Sequence, residues 1–292
     1  MKAVFAQPDN LALSHKKNAL GTKAAIGLVA LLLIGYFLIV AYPLFWMLMS
    51  SFKKTEEIYS STWSLPHEWM FSNYAKAWEM GVSQYFLNSV IVSTVAVIIT
   101  VLVSAFSAYG LSRFSFKGKY LILGLLSAGL MFSPQVSLIP LYKLVQNLGI
   151  HDTHWALILP YVAFRISMTV LLIRSFFLKI PKELEESAYL EGCSSLGIFF
   201  RIFVPLSKPI IWTTVLLTAY WTWNEFLFAI IFIDSNSMKT ITSGLLAFRD
   251  ALYTDWGVLM AGLVISALPL VLLFIFMQKH FVRGLAEGGV KG

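Results

Sequence analysis

Six stretches of this chain are each long and apolar enough to cross the hydrocarbon of a bilayer, and that repeated pattern limits the fold more than any other feature. Spanning takes about 20 apolar residues of helix. The segments are 24–49, 86–111, 120–141, 155–177, 209–233 and 257–277. Hydrocarbon offers backbone N–H and C=O groups no water, so each segment must pair its own groups and is expected to be helical. A hydrophobic share of 58% against 13% charged residues, with a mean hydropathy of +0.75, leaves too little polar surface to coat a soluble globule of 292 residues. The expected class is therefore an all-α integral membrane protein. The first segment is too long for a signal-peptide core and has no small-x-small site after it, so it should remain as an anchor.

The net charge of +7 is spread singly between apolar runs and forms no dense basic stripe, which argues against nucleic acid as a partner. Its placement encodes topology. Fifteen of the 22 basic residues fall on one side of the six spans: Lys2, Lys16, Lys17, Lys23, Arg113, Lys117, Lys119, Arg174, Lys179, Lys182, Arg201, Lys208, Lys279, Arg283 and Lys291. Lys53, Lys54, Lys76, Lys143, Lys239 and Arg249 fall on the other, and Arg165 lies within a span. Positive charge is retained in the cytoplasm, so both termini are expected there. This divides the chain into a tail over 1–23, a first span over 24–49, an external loop over 50–85, a core of five spans over 86–280, and a tail over 281–292. In the first external loop, Trp63, Trp69, Tyr74 and Trp78 suit either an interfacial aromatic belt or a surface for an external protein. Pro43, Pro134, Pro140, Pro160 and Pro269 mark places where the spans can bend.

Several chemistries find no support. Cys193 is the sole cysteine, which excludes an intrachain disulfide and a Cys-based zinc cluster. His151 and His154 flank Asp152 and Thr153, a polar turn rather than a metal pair, and no metal or catalytic residues are assigned. The Gly118-Lys119 pair lacks the rest of a phosphate-binding loop, and neither His-Glu-x-x-His nor Gly-x-Ser-x-Gly occurs. The chain is therefore not expected to hydrolyse ATP itself or to act as an enzyme.

Between the fourth and fifth spans lies a polar segment, 181–205, patterned as two short helices. In the first, Glu183, Glu186 and Leu190 share a stripe, and Glu183 and Glu185 suit the helix dipole at its start. Gly192 permits a turn. In the second, Ser194 or Ser195 can cap the start, and Leu196, Phe199, Phe200 and Phe203 recur at the spacing of one apolar face. Such an elbow is expected to lie along the membrane surface.

The spacing Glu186-Ser187-Ala188, then Gly192, then Ile202-Phe203-Val204-Pro205 resembles the signature of ABC-importer permeases, in which Glu-Ala-Ala is followed by Gly and then by Ile-x-Leu-Pro. Ser for Ala and Val for Leu are the departures. The likeness runs from about residue 73 to the end. Asn224-Glu225-Phe226-Leu227, Asp255-Trp256-Gly257, Ala267-Leu268-Pro269 and Gly288-Gly289-Val290-Lys291-Gly292 resemble the second permease of maltose-type carbohydrate importers. The resemblance implies a type I ABC importer permease fold in a bacterial inner membrane. It also implies a coupling helix, with Glu183, Glu185, Glu186, Ser187, Ala188, Leu190, Gly192 and Pro205, against an ATPase. Its implied partners are a second, related permease, two ATPase subunits that bind ATP and Mg, a solute-binding protein and an oligosaccharide. The tail from Gly288 to Gly292 would reach the ATPase pair, and the loop 234–256 the binding protein.

Arg165 and Glu225 lie inside spans at matched depth, where an unpaired charge is costly. They can form a structural ion pair or line a solute pathway, and in the second case Arg165 suits an acidic sugar. Tyr220, Trp221, Trp223 and Asn224, beside Glu225, offer the ring faces and amide that hold sugars; packing and interfacial anchoring are the alternative. An ABC permease for another small solute is the alternative function, and an ion-driven secondary transporter the more distant rival, since paired halves are not evident.

Overall fold

The computed structural model describes the backbone of residues 9–248 and 254–289 and the side chains of 26–248 and 254–278. Lys2, Lys16, Lys17, Lys23, Arg249, Lys279, Arg283, Lys291 and the ends of the two expected tails, Val290 to Gly292 among them, lie outside those side-chain limits. The described residues are helical, with no strand. Helices α1 (Asp9–Ser50), α2 (Thr55–Ser60), α3 (Ser72–Ala77) and α4 (Ser83–Arg113) are followed by α5 (Lys119–Gly129), α6 (Leu138–Asn147) and α7 (Trp155–Phe177). Then come α8 (Lys182–Leu190), α9 (Ser195–Ile198), α10 (Val204–Leu206), α11 (Lys208–Asn224), α12 (Leu227–Phe232), α13 (Ile241–Gly244) and α14 (Trp256–Gly289). A π-helical turn, Trp78–Val82, joins α3 to α4, and another, Phe199–Phe203, joins α9 to α10.

Among the described residues four stretches can cross a membrane by length and apolarity: Ile26–Ser50, Ser72–Arg113, Trp155–Phe177 and Trp256–Gln278. A fifth arises if Ser195–Leu206 and Lys208–Asn224, bent by 78°, count as one. Two of the six apolar segments are thus not single straight helices. The third is divided into α5 and α6, with Pro134 in the gap. Proline has no N–H to continue the ladder and pushes the preceding residue away from helical angles. The fifth stops at Asn224 because Glu225 takes extended angles (φ −65°, ψ 129°) and resumes at Leu227. Pro43, Pro160 and Pro269, by contrast, sit within continuous helices.

The bundle centres on α4, which packs along α7 and α11, while α11 also packs on α14. Three apolar clusters fill it. Tyr161, Phe228 and Phe232 anchor one around the starts of α7 and α12, and Tyr85, Trp223 and Val258 anchor a second toward the start of α14. The third, around Tyr109, Phe177, Phe199 and Phe203, ties α9 and its π turn to the facing ends of α4 and α7. The chain still exposes 18587 Å² of surface, against about 12,500 Å² for a compact soluble chain of this mass. Much of the excess is apolar: Leu31, Phe37 and Ile39 of α1 are among many large side chains left uncovered by the chain itself. Lipid or a partner must cover them.

The segment after α1 is tied to the start of α14. The Asn73 amide donates to the carbonyls of Ser51 (3.0 Å) and Lys53 (2.9 Å), and Thr55 Oγ1 donates to Asp255 Oδ1 at 3.1 Å. A Cβ on Gly257 would stand 2.3 Å from the Lys53 carbonyl, so only glycine permits this approach. Of the loop aromatics, Trp63 lies exposed against Tyr42 of α1, with centroids 5.5 Å apart, and Trp69 and Trp78 are exposed. Tyr74 is half-buried, its hydroxyl 2.7 Å from Ser51 Oγ. His151 to His154 form a turn, with Asp152 at φ +57° and its carboxylate accepting from the N–H groups of Asp234 and Ser235, both at 2.9 Å.

Candidate functional site

The segment 181–205 folds as two short helices at an elbow. Helix α8 starts after the extended Pro181 and carries Glu183 and Glu185 in its first turn. It ends in a Schellman cap: the N–H of Gly192 donates to Tyr189 O and that of Cys193 to Ala188 O, both at 3.0 Å. Gly192 supplies the left-handed residue this cap requires, at φ +80°. Ser194 caps the next helix, its hydroxyl oxygen accepting from the N–H of Gly197 at 3.2 Å. The 78° bend after Leu206 sets this second part nearly crosswise to α11.

Ala188, Ile198, Phe199 and Phe203 are buried against α4 and α7, whereas Glu183, Glu186, Ser187, Leu190 and Pro205 are exposed. Leu190 is 90% exposed, so α8 presents an acidic face with an apolar tip. The expected stripe in the second helix is only half right. Leu196 and Phe200 face outward, and Ile198 takes the buried place. The π turn at Phe199–Phe203 adds a residue to the helical period and rotates the register away from a 3.6-residue stripe.

What grips this elbow is Arg113, a residue that sequence reasoning counted only as a topology charge. Its side chain is 5% exposed. One Nη donates to Phe177 O (2.9 Å) and Ile180 O (2.6 Å), Nε stands 3.4 Å from Glu185 Oε2, and the guanidinium lies 4.8 Å from the Phe203 ring centroid. Tyr109 donates to the other oxygen of Glu185 at 3.4 Å. A single buried cation at the end of α4 thus satisfies carbonyls left open where α7 ends, and also reaches α8 and the π turn. Its position after an apolar run was visible; its partners were not.

The intramembrane charges do not pair. Among the described residues no ion pair joins Arg165 to Glu225, which corrects the structural-pair reading. Glu225 accepts from Tyr161 Oη at 2.7 Å and from the N–H groups of Phe228 (2.9 Å) and Ala229 (3.3 Å), capping α12 across the break. Thr242 Oγ1 donates to its carbonyl at 2.8 Å. Arg165 lies 5.6 Å from the centre of the Trp221 ring, and its Nε is buried without a hydrogen-bond partner. Tyr220 and Asn224 are exposed, but Trp223 is buried, donates to Ser266 O at 3.0 Å and meets Phe86 edge-on. Trp223 therefore packs α11 on α14, with one edge toward an apolar cleft of about 510 Å³ between α4, α11 and α14.

The sequence profile described as "Binding-protein-dependent transport system inner membrane component" matches residues 100–287. The chain is 60% identical over 257 residues to the probable ABC transporter permease protein YurM of Bacillus subtilis, covering 88% of this chain and 86% of that one. It is 36% identical to the diacetylchitobiose uptake system permease protein NgcG of Streptomyces coelicolor, covering 88% and 86%. It is 34% identical to the trehalose/maltose transport system permease protein MalG of Thermococcus litoralis, covering 90% and 96%. In fold it is similar to a chain of a bacterial ABC transporter that imports the acidic polysaccharide alginate, with a TM-score of 0.76 at 20% identity over 96% of this chain and 100% of that one. Helix packing, the glycine-turned segment 181–205 and these matches agree: the chain belongs to the family of binding-protein-dependent transport system inner membrane components.

Proposed function

We propose that this chain is one permease subunit of an ATP-driven importer that moves an oligosaccharide across the bacterial cytoplasmic membrane by alternating access. A second, related permease completes the pathway, two ATPase subunits bind ATP and Mg, and a solute-binding protein delivers the sugar. This chain binds no cofactor of its own. Six crossings, with α5 and its following turn as the third and α11 with α12 as the fifth, leave both termini in the cytoplasm, in line with the basic-residue asymmetry. The cargo class rests on relatives whose names specify sugars.

The observation that carries the proposal is the elbow of α8. Its buried side, through Ala188, is fastened to the bundle, while Glu183, Glu186 and Leu190 remain exposed on a capped helix. Such a face suits an ATPase groove. In the pathway, Arg165 supplies a cation beside the Trp221 face, and Tyr220 and Asn224 supply an exposed ring and amide. An intramembrane cation with no anion within 4.0 Å among the described residues fits an aqueous route and favours an acidic group on the sugar.

The test is reconstitution of the four-subunit complex with its binding protein in vesicles. ATP-dependent accumulation of a labelled oligosaccharide is expected, and Glu186→Lys should weaken ATPase co-purification by about tenfold or more, the equivalent of 1.4 kcal/mol. Uptake driven by an ion gradient without ATP would overturn the proposal.

A further inference from the structure

The exposed face of α8 explains what an ATPase would push, but not how the push reaches the spans. A nine-residue helix held only by Ala188 would slide on the bundle. The connection to α11 turns through 78°, so it transmits bending poorly. A direct strut is needed from α8 to a helix that runs the length of the bundle.

We infer that Arg113 is a positioning residue that locks the coupling segment, the end of α4 and the end of α7 into one rigid body, so that displacement of α8 becomes displacement of α4 and α7. This rests on the reading of α8 as the ATPase contact. Three features carry it. First, the guanidinium engages three elements at once: the carbonyls of Phe177 and Ile180 where α7 ends, the carboxylate of Glu185 on α8, and the ring of Phe203 in the π turn. Second, both members of the ion pair are withdrawn from solvent, with side chains 5% and 13% exposed, where charge interactions are screened far less than at a surface. Third, one Nη bridges the two carbonyls while Nε, which makes no hydrogen bond, faces the Glu185 carboxylate as a charge pair, a spread over one planar group that a lysine point charge does not reproduce.

Glu185 has the matching shape. One oxygen faces Arg113 and the other accepts from Tyr109, both on α4, so α8 is held to α4 through both oxygens of one carboxylate. Glu185 therefore faces inward as the tether, and Glu183 and Glu186, exposed on the same helix, are left free for a partner. Three acidic residues alike in sequence have two different tasks.

The experiment uses the assembled complex with spin labels on Lys117→Cys and Glu191→Cys, both exposed, in a Cys193→Ser background. These sites report the distance between the end of α4 and the coupling segment. In the otherwise native chain the distance distribution should be the same without nucleotide and with ADP and vanadate trapped after ATP hydrolysis. In Arg113→Gln it should broaden and become nucleotide-dependent. Glu185→Gln, which keeps both carbonyl hydrogen bonds, should do so to a smaller extent, and Arg113→Lys should restore only part of the native behaviour. A native distance that changes with nucleotide overturns the inference. Variant distances that broaden equally in both states also overturn it, because they show a structural role without transmission. Glu185→Gln should still co-purify with the ATPase. If Glu186→Lys does so as well, it is the docking face that fails and not the strut.

Discussion

The hydroxyl of Tyr161 donates a 2.7 Å hydrogen bond to Glu225 across the break between α11 and α12, a partnership that pins a discontinuous span to α7. Tyr161 is fully buried, so no water replaces the bond when it is lost. Tyr161→Phe should lower stability by about 1 to 2 kcal/mol, between the value for a hydrogen bond to a charged group and the smaller values found inside membranes. Glu225→Ala should cost more, because it also strips the N–H groups of Phe228 and Ala229. Thermal unfolding of the detergent-solubilised complex gives the order; a Tyr161→Phe protein as stable as the native one would show that the bond contributes nothing.

Gly192 tests the cap of α8 without steric confusion. A Cβ there would meet nothing within 4 Å, so only the positive φ matters. Gly192→Ala should cost about 1 to 2 kcal/mol, and Gly192→Asn less, since asparagine tolerates left-handed angles. ATPase co-purification should fall in the order Gly, Asn, Ala; equal retention by all three would mean that the elbow is not the contact.

Trp223 and its neighbours on α11 separate packing from pathway. Trp223→Phe loses the bond to Ser266 O and should lower the melting temperature while leaving uptake per folded complex near the native rate. Tyr220→Ala and Asn224→Ala, at exposed positions, should slow uptake with little change in melting. The opposite pattern would place the sugar in the apolar cleft beside Trp223.

Asp152 provides a pH signature outside the spans. The Ser235 hydroxyl, then the Ser235 N–H, hold its carboxyl below the ordinary 3.8 despite slight burial. A folded value lower than the unfolded one makes the contribution complete above that ordinary value and lost as pH falls through the folded one. The melting difference between the native chain and Asp152→Asn should therefore be flat at neutral pH and shrink below about pH 4. A difference that persists unchanged in acid would assign the effect to turn geometry alone.

Much of segment 181–205 was legible because its determinants are local. Gly192 and Ser194 act on backbone groups within five residues, and the acidic start of α8 follows from the helix dipole. The second helix was misread where the π turn shifts the period, because Leu196 and Phe200 fit with Phe203 a 3.6-residue stripe that the backbone does not follow. For Arg165 and Glu225 the sequence left a mutual ion pair and a pathway role open, because matched depth along two helices says nothing about which faces meet; the structure shows no such pair.

The sequence alone determined that this chain belongs in a bilayer, that it is helical, and that one glycine-turned polar segment interrupts the apolar runs. Those properties follow from composition and spacing over short windows, where solvent transfer and backbone hydrogen bonding act locally. Tertiary structure alone decided that the third and fifth segments break, that Tyr161 rather than Arg165 holds Glu225, and that Arg113 holds Glu185. Glu225 meets Tyr161 across 64 residues, and Glu185 meets Tyr109 of α4 across 76. Contacts of that range depend on how the helices rotate against each other, and that rotation is set by the packing of every buried side chain at once.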